Sequence, residues 1–494
     1  MIWDLIKDAF SEREFVSLEE EKDFMRFFVE RLFNDYNDNY MANETKYKTL
    51  INDLEITLPN GTVGKDYAAS FIIPTDIATI TTIERTESSK GLEISNDENG
   101  QVTISGSPEN AGDIDLIIKY TFPGWIEGKP VLERKISFSI NPDPRTLWQD
   151  IPTPKNIDYY QEDFDSDYVK VEAINGIPQK DIVAASVRGR SHAHKGNPRD
   201  DHFLVTYNEE NGWYVMSVAD GAGSAKFSRK GSTIACETVV NLCSDSLKDG
   251  SLDPLIEQYH TDNTDANRKL IGDKIYGILG TAAYKAAAAI KTEAALKDAE
   301  AKAKMAEMNA EAKKLNPNAQ DNTAADITAR DFATTLLLTI SKKFEFGWFI
   351  ASFWVGDGAI CIYKKGTEEQ PSSHKILGVP DGGEFAGQTR FITMPEIFKD
   401  AAAIYSRLRF SIEEDFTALM LMTDGVSDAK FETDANLNKI DMWDTLWKDL
   451  AGDNEDKCAV DLNDDNDESQ YQLLKWLNFW SQGNHDDRTI AILY

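Results

Sequence analysis

The chain reads as an α+β protein built from more than one domain, and three observations carry that reading. Its 494 residues exceed what one ordinary core organises. Its apolar pattern changes character along the chain: helical spacing first, then short alternating runs, then longer apolar runs separated by helical stretches. A hydrophobic share of 41% gives each of these parts enough apolar surface to bury.

Residues 1–50 are helical in character. In "SLEEEKDFMRFFVERLFNDY", Ser17 is placed to cap a helix, Glu19 to Glu21 fill the first turn, and Phe24, Phe27, Phe28, Leu32 and Phe33 recur at three-to-four spacing. Residues 51–143 carry runs such as "LEITL", "QVTISG" and "RKISFSI" between Asn, Gly, Pro and Asp, the rhythm of a small β-sandwich. No titratable cluster falls there, which assigns this part to recognition or spacing. "ISGSPENAGDIDLIIKY" is similar to a late hairpin of the immunoglobulin-like modules. Residues 144–160, within "NPDPRTLWQDIPTPKN", read as a linker. From 161 to 494 strands and helices mix, and the Ala/Lys/Glu stretch 281–315, closed by Pro317, predicts one elongated, mostly solvated helix.

The charge balance narrows the partners. There are 52 basic and 84 acidic residues, a net charge of −32, which opposes binding to nucleic acid or to an anionic membrane. No apolar run is long enough to cross a bilayer, and "MIWDLIKDAFSEREF" lacks the apolar core of an export signal. Cys236, Cys243, Cys361 and Cys458 show neither CxxC spacing nor the density of a secreted scaffold, so buried free thiols in the cytoplasm are expected. Two tempting motifs fail. "DLNDDNDE" from Asp461 starts like a calcium loop, but Asn466 and Gln472 stand where that loop needs Gly and Glu. "GAGSAKFSRKGS" lacks the Gly-Lys-Ser/Thr ending of a phosphate loop.

The chemistry sits at strand edges. "WYVMSVADG" reaches Asp220, "GWFIASFWVGDG" reaches Asp357 and "FTALMLMTDG" reaches Asp424, each after an apolar run of strand length. Two further edges begin strands: Asp200 and Asp201 in "NPRDDHFLVTY", and Asp486 and Asp487 in "GNHDDRTIAILY". One Asp-Gly alone is an ordinary turn signal. Several matched edges place carboxylates at the ends of strands that lie side by side, where their mutual repulsion calls for hard divalent cations such as Mg²⁺ or Mn²⁺. A glycine after each Asp lets backbones approach closely. Two such ions can deprotonate a bridging water, which suits phosphoester hydrolysis.

With these residues in order, and with "SVRGRSHAHKGNPRDDHF", "DFATTLLLTI" and "GEFAGQTRFIT" between them, the chain resembles the PP2C-type metal-dependent serine/threonine phosphatases, in particular their bacterial branch. The resemblance spans about 183–494 and leaves residues 1–150 uncovered. It implies a four-layer α/β/β/α sandwich, preceded here by the small all-β immunoglobulin-like sandwich and the helical segment. It implies Asp220 as the carboxylate bridging two metals, with the Gly221 carbonyl on one and Asp424 and Asp486 on the other. It implies Asp201 and Asp200 on metal-bound waters, and Asp357 with Asp424 on a third, weaker ion; Asp487 stands where the family has Asn. An upstream arginine clamps phosphate in the family, and here Arg190 and Arg188 rank ahead of Arg199. Ala222 occupies the place of a candidate proton donor, leaving His192, His194, His202 or a metal-bound water for that task. The substrate implied is a phosphorylated protein, with a kinase as an expected partner. The alternative is a catalytically weak fold of this type used as a binding or regulatory module.

Overall fold

The computed structural model describes residues 17–86, 90–174, 176–381 and 389–494. The expectations for "MIWDLIKDAFSEREF" and for 383–388 of "GEFAGQTRFIT" lie outside the described residues. The chain divides into two compact units, with the boundary between Leu147 and Trp148.

The first unit opens on α1 (Leu18–Asn52), which starts where the Ser17 hydroxyl accepts the Glu20 N–H at 3.1 Å. Glu19 to Glu21 then face the positive end of the helix dipole. Seven strands follow: β1 (Gly61–Thr62), β2 (Tyr67–Ile72), β3 (Thr79–Arg85), β4 (Leu92–Asn96), β5 (Gln101–Gly106), β6 (Gly112–Thr121) and β7 (Leu132–Asn141). They form one sheet in the order β1-β7-β6-β3 and another in the order β2-β5-β4. Ile114, Leu116, Ile118 and Tyr120 alternate inward along β6, as a half-buried strand requires, and share a core with Ile104, Phe138 and Ile51 of α1.

The second unit holds β8 (Phe164–Val169), β9 (Ile182–Val187), β10 (His202–Asn208), β11 (Trp213–Ala219), β12 (Leu336–Phe344), β13 (Gly347–Val355), β14 (Ala359–Lys364), β15 (Ser373–Gly378), β16 (Leu408–Glu413), β17 (Ala418–Met422) and β18 (Arg488–Leu493). Two antiparallel sheets result, β10-β11-β12-β13-β16 and β15-β14-β17-β18-β9-β8. The helices are α2 (Arg190–Lys195), α3 (Ser228–Leu247), α4 (Asp253–Thr261), α5 (Asp265–Ile275), α6 (Thr281–Leu315), α7 (Ala401–Tyr405), α8 (Asp424–Phe431), α9 (Ile440–Leu450) and α10 (Ser469–Leu477).

Three clusters fill this unit. One takes alternate residues from both sheets, Ala184, Leu419, Leu421 and Ala491 meeting Tyr214, Met216, Val218 and Ile350. The other side of the five-stranded sheet, with Val215, Leu338 and Ala351, packs on Val239 and Cys243 of α3 and Ala283 and Ile290 of α6. The other side of the six-stranded sheet, with Val183, Met420 and Ile492, packs on Trp443 of α9 and Trp476 of α10. Strands buried on both faces need no polar alternation, so every residue of β11 is buried and the run reads as apolar but for Ser217. The expected long helix is α6; its buried residues, Ala282 to Ala294, fall in its first half. All four cysteines are free and buried. No described helix is long and apolar enough to cross a membrane.

Candidate metal centre

Strand register brings the acidic edges to one place. His202 pairs with Ala219, so Asp201 precedes β10 opposite the point where Asp220 leaves β11. Ala359 pairs with Met422, which sets Asp357, just before β14, near Asp424 at the start of α8. Met422 pairs with Ile490, and Arg488 with Val187, so Asp486 and Asp487 emerge at the same end of β18. One carboxylate oxygen from each of Asp220, Asp357 and Asp424 lies within 4.8 Å of the other two.

Backbone and hydroxyl contacts hold these carboxylates. The Asp220 N–H donates to Thr335 Oγ1, and its carbonyl accepts the Thr335 N–H and the Thr334 hydroxyl, all three at 2.8 Å. Asp201 Oδ2 accepts the hydroxyls of Thr423 at 3.0 Å and Thr489 at 2.7 Å. The Thr389 hydroxyl donates to Asp357. A Cβ on Gly425 would overlap the Asp487 carbonyl oxygen, and one on Gly221 the Asp200 carbonyl oxygen, so at both edges glycine permits two backbones to touch.

The electrostatics suit a cation. Burial pushes the Asp220 and Asp424 carboxyls well above the usual carboxylate range, and their acidic neighbours Asp201, Asp357 and Asp486 push them further. Burial, then the charge of Asp487, raises Asp200 and Asp201 to about 7. Burial likewise raises Asp357 and Asp486. The buried Oδ1 atoms of Asp201 and Asp357 have no hydrogen-bond partner. A set of carboxylate oxygens with unmatched buried lone pairs fits hard divalent cations, which replace the protons.

Asp487 works differently from Asp486. Its two oxygens accept the N–H groups of Gly189 and Asp200, each at 2.6 Å, and Oδ2 lies 3.2 Å from His192 Nδ1. Burial alone would raise its carboxyl, but His192 and the two N–H donors hold it below its ordinary value. Burial would lower His192, yet Asp487, with Asp200 and Asp486, raises it to about 10. His192 Nε2 stands 3.8 Å from where a Cβ on Gly223 would be. The other two histidines differ. His194 Nδ1 accepts the Gln149 N–H, and burial, then Arg199, lowers His202 to about 4.

The arginines are engaged. Arg188 pairs with Asp150 at 2.6 Å and Asp163 at 3.3 Å. Arg190 donates to the carbonyls of Phe479 and Asn478 and lies over the Trp480 ring. Arg199 is 1% exposed and donates to the Glu162 carbonyl. Thr335, Thr389, Thr423 and Thr489 escape sequence reasoning, because a threonine before or after an apolar strand looks like any strand residue. Thr423 in "MTDG" and Thr489 in "DDRTI" adjoin an acidic edge, whereas Thr335 in "TTLLLTI" and Thr389 in "GQTRFIT" carry no such signal.

Residues 188–477 match the family described as protein phosphatase 2C. The chain belongs to that family. No curated protein sequence matches it. Among solved structures it is similar to RsbX in complex with magnesium, at 12% identity over 66% of this chain and 100% of that one, with a TM-score of 0.32. It is similar to a serine-threonine phosphatase 2C from Toxoplasma gondii at 11% identity, over 67% of this chain and 98% of that one, with a TM-score of 0.34. PppA of Pseudomonas aeruginosa is similar at 13% identity, over 66% of this chain and 99% of that one, with a TM-score of 0.34. The protein phosphatase 2C match contains the edges at Asp200–Asp201, Asp220, Asp357 and Asp424, and ends before Asp486.

Proposed function

We propose that the chain is a metal-dependent phosphatase acting on phosphoserine and phosphothreonine in proteins. The observation that carries this reading is the convergence of Asp220, Asp357 and Asp424 in a chain of the protein phosphatase 2C family. Asp220, the Gly221 carbonyl, Asp424 and Asp486 would hold two Mg²⁺ or Mn²⁺ ions, Asp201 and Asp200 their waters, and Asp357 with Asp424 a third ion. When bound, these ions supply charge neutralisation for the phosphate and acidify a water. The chain's own residues do the rest. Thr423 and Thr489 fix the Asp201 carboxylate, leaving its Oδ1 for the centre. Asp487 beside His192 would favour its imidazolium form, which, near Gly223, would pass a proton to the departing serine or threonine oxygen. A phosphate clamp by Arg190 or Arg188 requires that guanidinium to exchange its present oxygen partners for phosphate oxygens.

In this reading residues 161–494 form the catalytic α/β/β/α sandwich, a layering supported by the cluster between the sheets and the two clusters outside them. Residues 51–143 form the immunoglobulin-like module, 144–160 the linker and 1–50 the helical segment. The substrates are cytoplasmic phosphoproteins, with a kinase among the expected partners. Calorimetric titration of the chelated chain with Mn²⁺, paired with release of phosphate from a phosphothreonine peptide, tests the reading. Binding and turnover together are expected. Metal binding without turnover on phosphopeptides would instead assign the chain as a regulatory module.

A further inference from the structure

The short segment from Thr389 to Ile392 is tied at both ends to the proposed metal centre. At one end the Thr389 hydroxyl donates to Asp357. At the other, the Ile392 N–H donates to the Thr334 carbonyl at 2.9 Å, and the Thr334 hydroxyl donates to the Asp220 carbonyl at 2.8 Å. Arg390 and Phe391 are the two residues held between these anchors.

Arg390 itself is restrained by a single long contact. Its Nε lies 3.5 Å from Asp381 Oδ1. A strong bond between such charges measures about 2.7–2.9 Å. Among the described residues its two terminal nitrogens meet no acceptor. Asp381 already has a closer cation, because the Arg407 guanidinium pairs with its Oδ2 and also donates to the Trp354 carbonyl at 3.3 Å. One carboxylate therefore stands between two guanidiniums. Of the two, the Arg390 side chain is the accessible one, 32% exposed against 10% for Arg407. Asp381 also fixes where this pair sits: its N–H donates at 2.8 Å to the carbonyl of Gly356, the residue before Asp357. The arginines ahead of the first acidic edge are more tightly engaged. Arg188 has two carboxylates, Arg190 two carbonyls and a ring, and Arg199 is buried. A guanidinium with both terminal nitrogens open presents the planar fork that takes two phosphate oxygens at once, a geometry an ammonium lacks.

We propose that Arg390, rather than an arginine of the 188–199 segment, binds the phosphate of the substrate through two of its oxygens. The inference rests on the phosphatase reading and assigns the phosphate-binding side chain of that same centre. Inorganic phosphate is the probe, titrated by calorimetry into the Mg²⁺-loaded full chain and, separately, as a competitive inhibitor of aryl phosphate hydrolysis. The unaltered protein is compared with Arg390→Ala, Arg390→Lys, Arg188→Ala and Arg190→Ala, and Mg²⁺ affinity is measured in each. In Arg390→Ala phosphate affinity should fall by roughly tenfold or more, and KM for a phosphothreonine peptide should rise by a similar factor. Arg390→Lys should recover only part of the loss. Mg²⁺ affinity should stay within about twofold, because Arg390 touches phosphate and not the ions' ligands. Unchanged phosphate affinity in Arg390→Ala, or a loss confined to Arg188→Ala or Arg190→Ala, would overturn the inference. So would a parallel loss of Mg²⁺ affinity, which would make Arg390 only a support for Asp381 and Asp357. Absence of chelator-sensitive aryl phosphate hydrolysis in the unaltered chain overturns the phosphatase reading alone if phosphate still binds through Arg390, and both if it does not.

Discussion

Asp201 has both its oxygens enclosed, with only one of them bonded to hydroxyls. In the metal-free protein a proton must take the place of a cation, and that gives a pH signature. Asp200 and Asp201 rise to about 7, above the roughly 3.9 of an unfolded aspartate. A group raised in this way gives stability that is complete below its unfolded value and is lost as pH rises through its folded value. His192, raised to about 10, adds stability that is lost in the same direction, from about 6.5 upward. The chelated protein should therefore melt several degrees lower at about pH 8 than at about pH 5, and Mn²⁺ should restore the loss at the higher pH by occupying the ionised carboxylates. Scanning calorimetry measures this. A melting temperature that is flat with pH and indifferent to Mn²⁺ would contradict the assignment of Asp200 and Asp201 to the centre.

At the scale of elements, the Asp-Gly edges owe their form to backbone crowding. Gly425 opens α8 directly against the Asp487 carbonyl, and that contact joins two of the acidic edges. Gly425→Ala should destabilise the protein by about 2–3 kcal/mol in denaturant unfolding and separate α8 from the loop before β18. A change within about 0.5 kcal/mol would mean that this approach is unimportant. Much of this was legible in the sequence. A fully buried strand such as β11 leaves a run that is apolar but for Ser217, and a carboxylate that ends such a run stands out, as Asp220, Asp357 and Asp424 do. The mixed helix and strand content and α6 were legible for the same reason, because periodicity and composition are local. The engagement of Arg188 with Asp150 and of Arg190 with carbonyls before β18 was not. Those contacts join segments far apart in the chain, and nothing in the spacing of "SVRGRSH" encodes them. The division of labour between Asp486 and Asp487 was hidden too, since it is decided by the N–H groups of Gly189 and Asp200.

For the whole molecule, a net charge of −32 would make a deep cluster of further carboxylates costly unless something positive enters it. The same excess favours basic partners over nucleic acid. Both the fold and the charge lead back to Asp220, which follows a fully buried strand and feels four other carboxylates. The central claim is therefore tested at that residue, by following aryl phosphate hydrolysis with Mn²⁺ and with chelator in the unaltered chain and in Asp220→Asn. Hydrolysis that chelator abolishes, and that falls by at least about a hundredfold in a still-folded Asp220→Asn protein, is the predicted result. Undiminished turnover in that variant, or turnover indifferent to chelator, would contradict it.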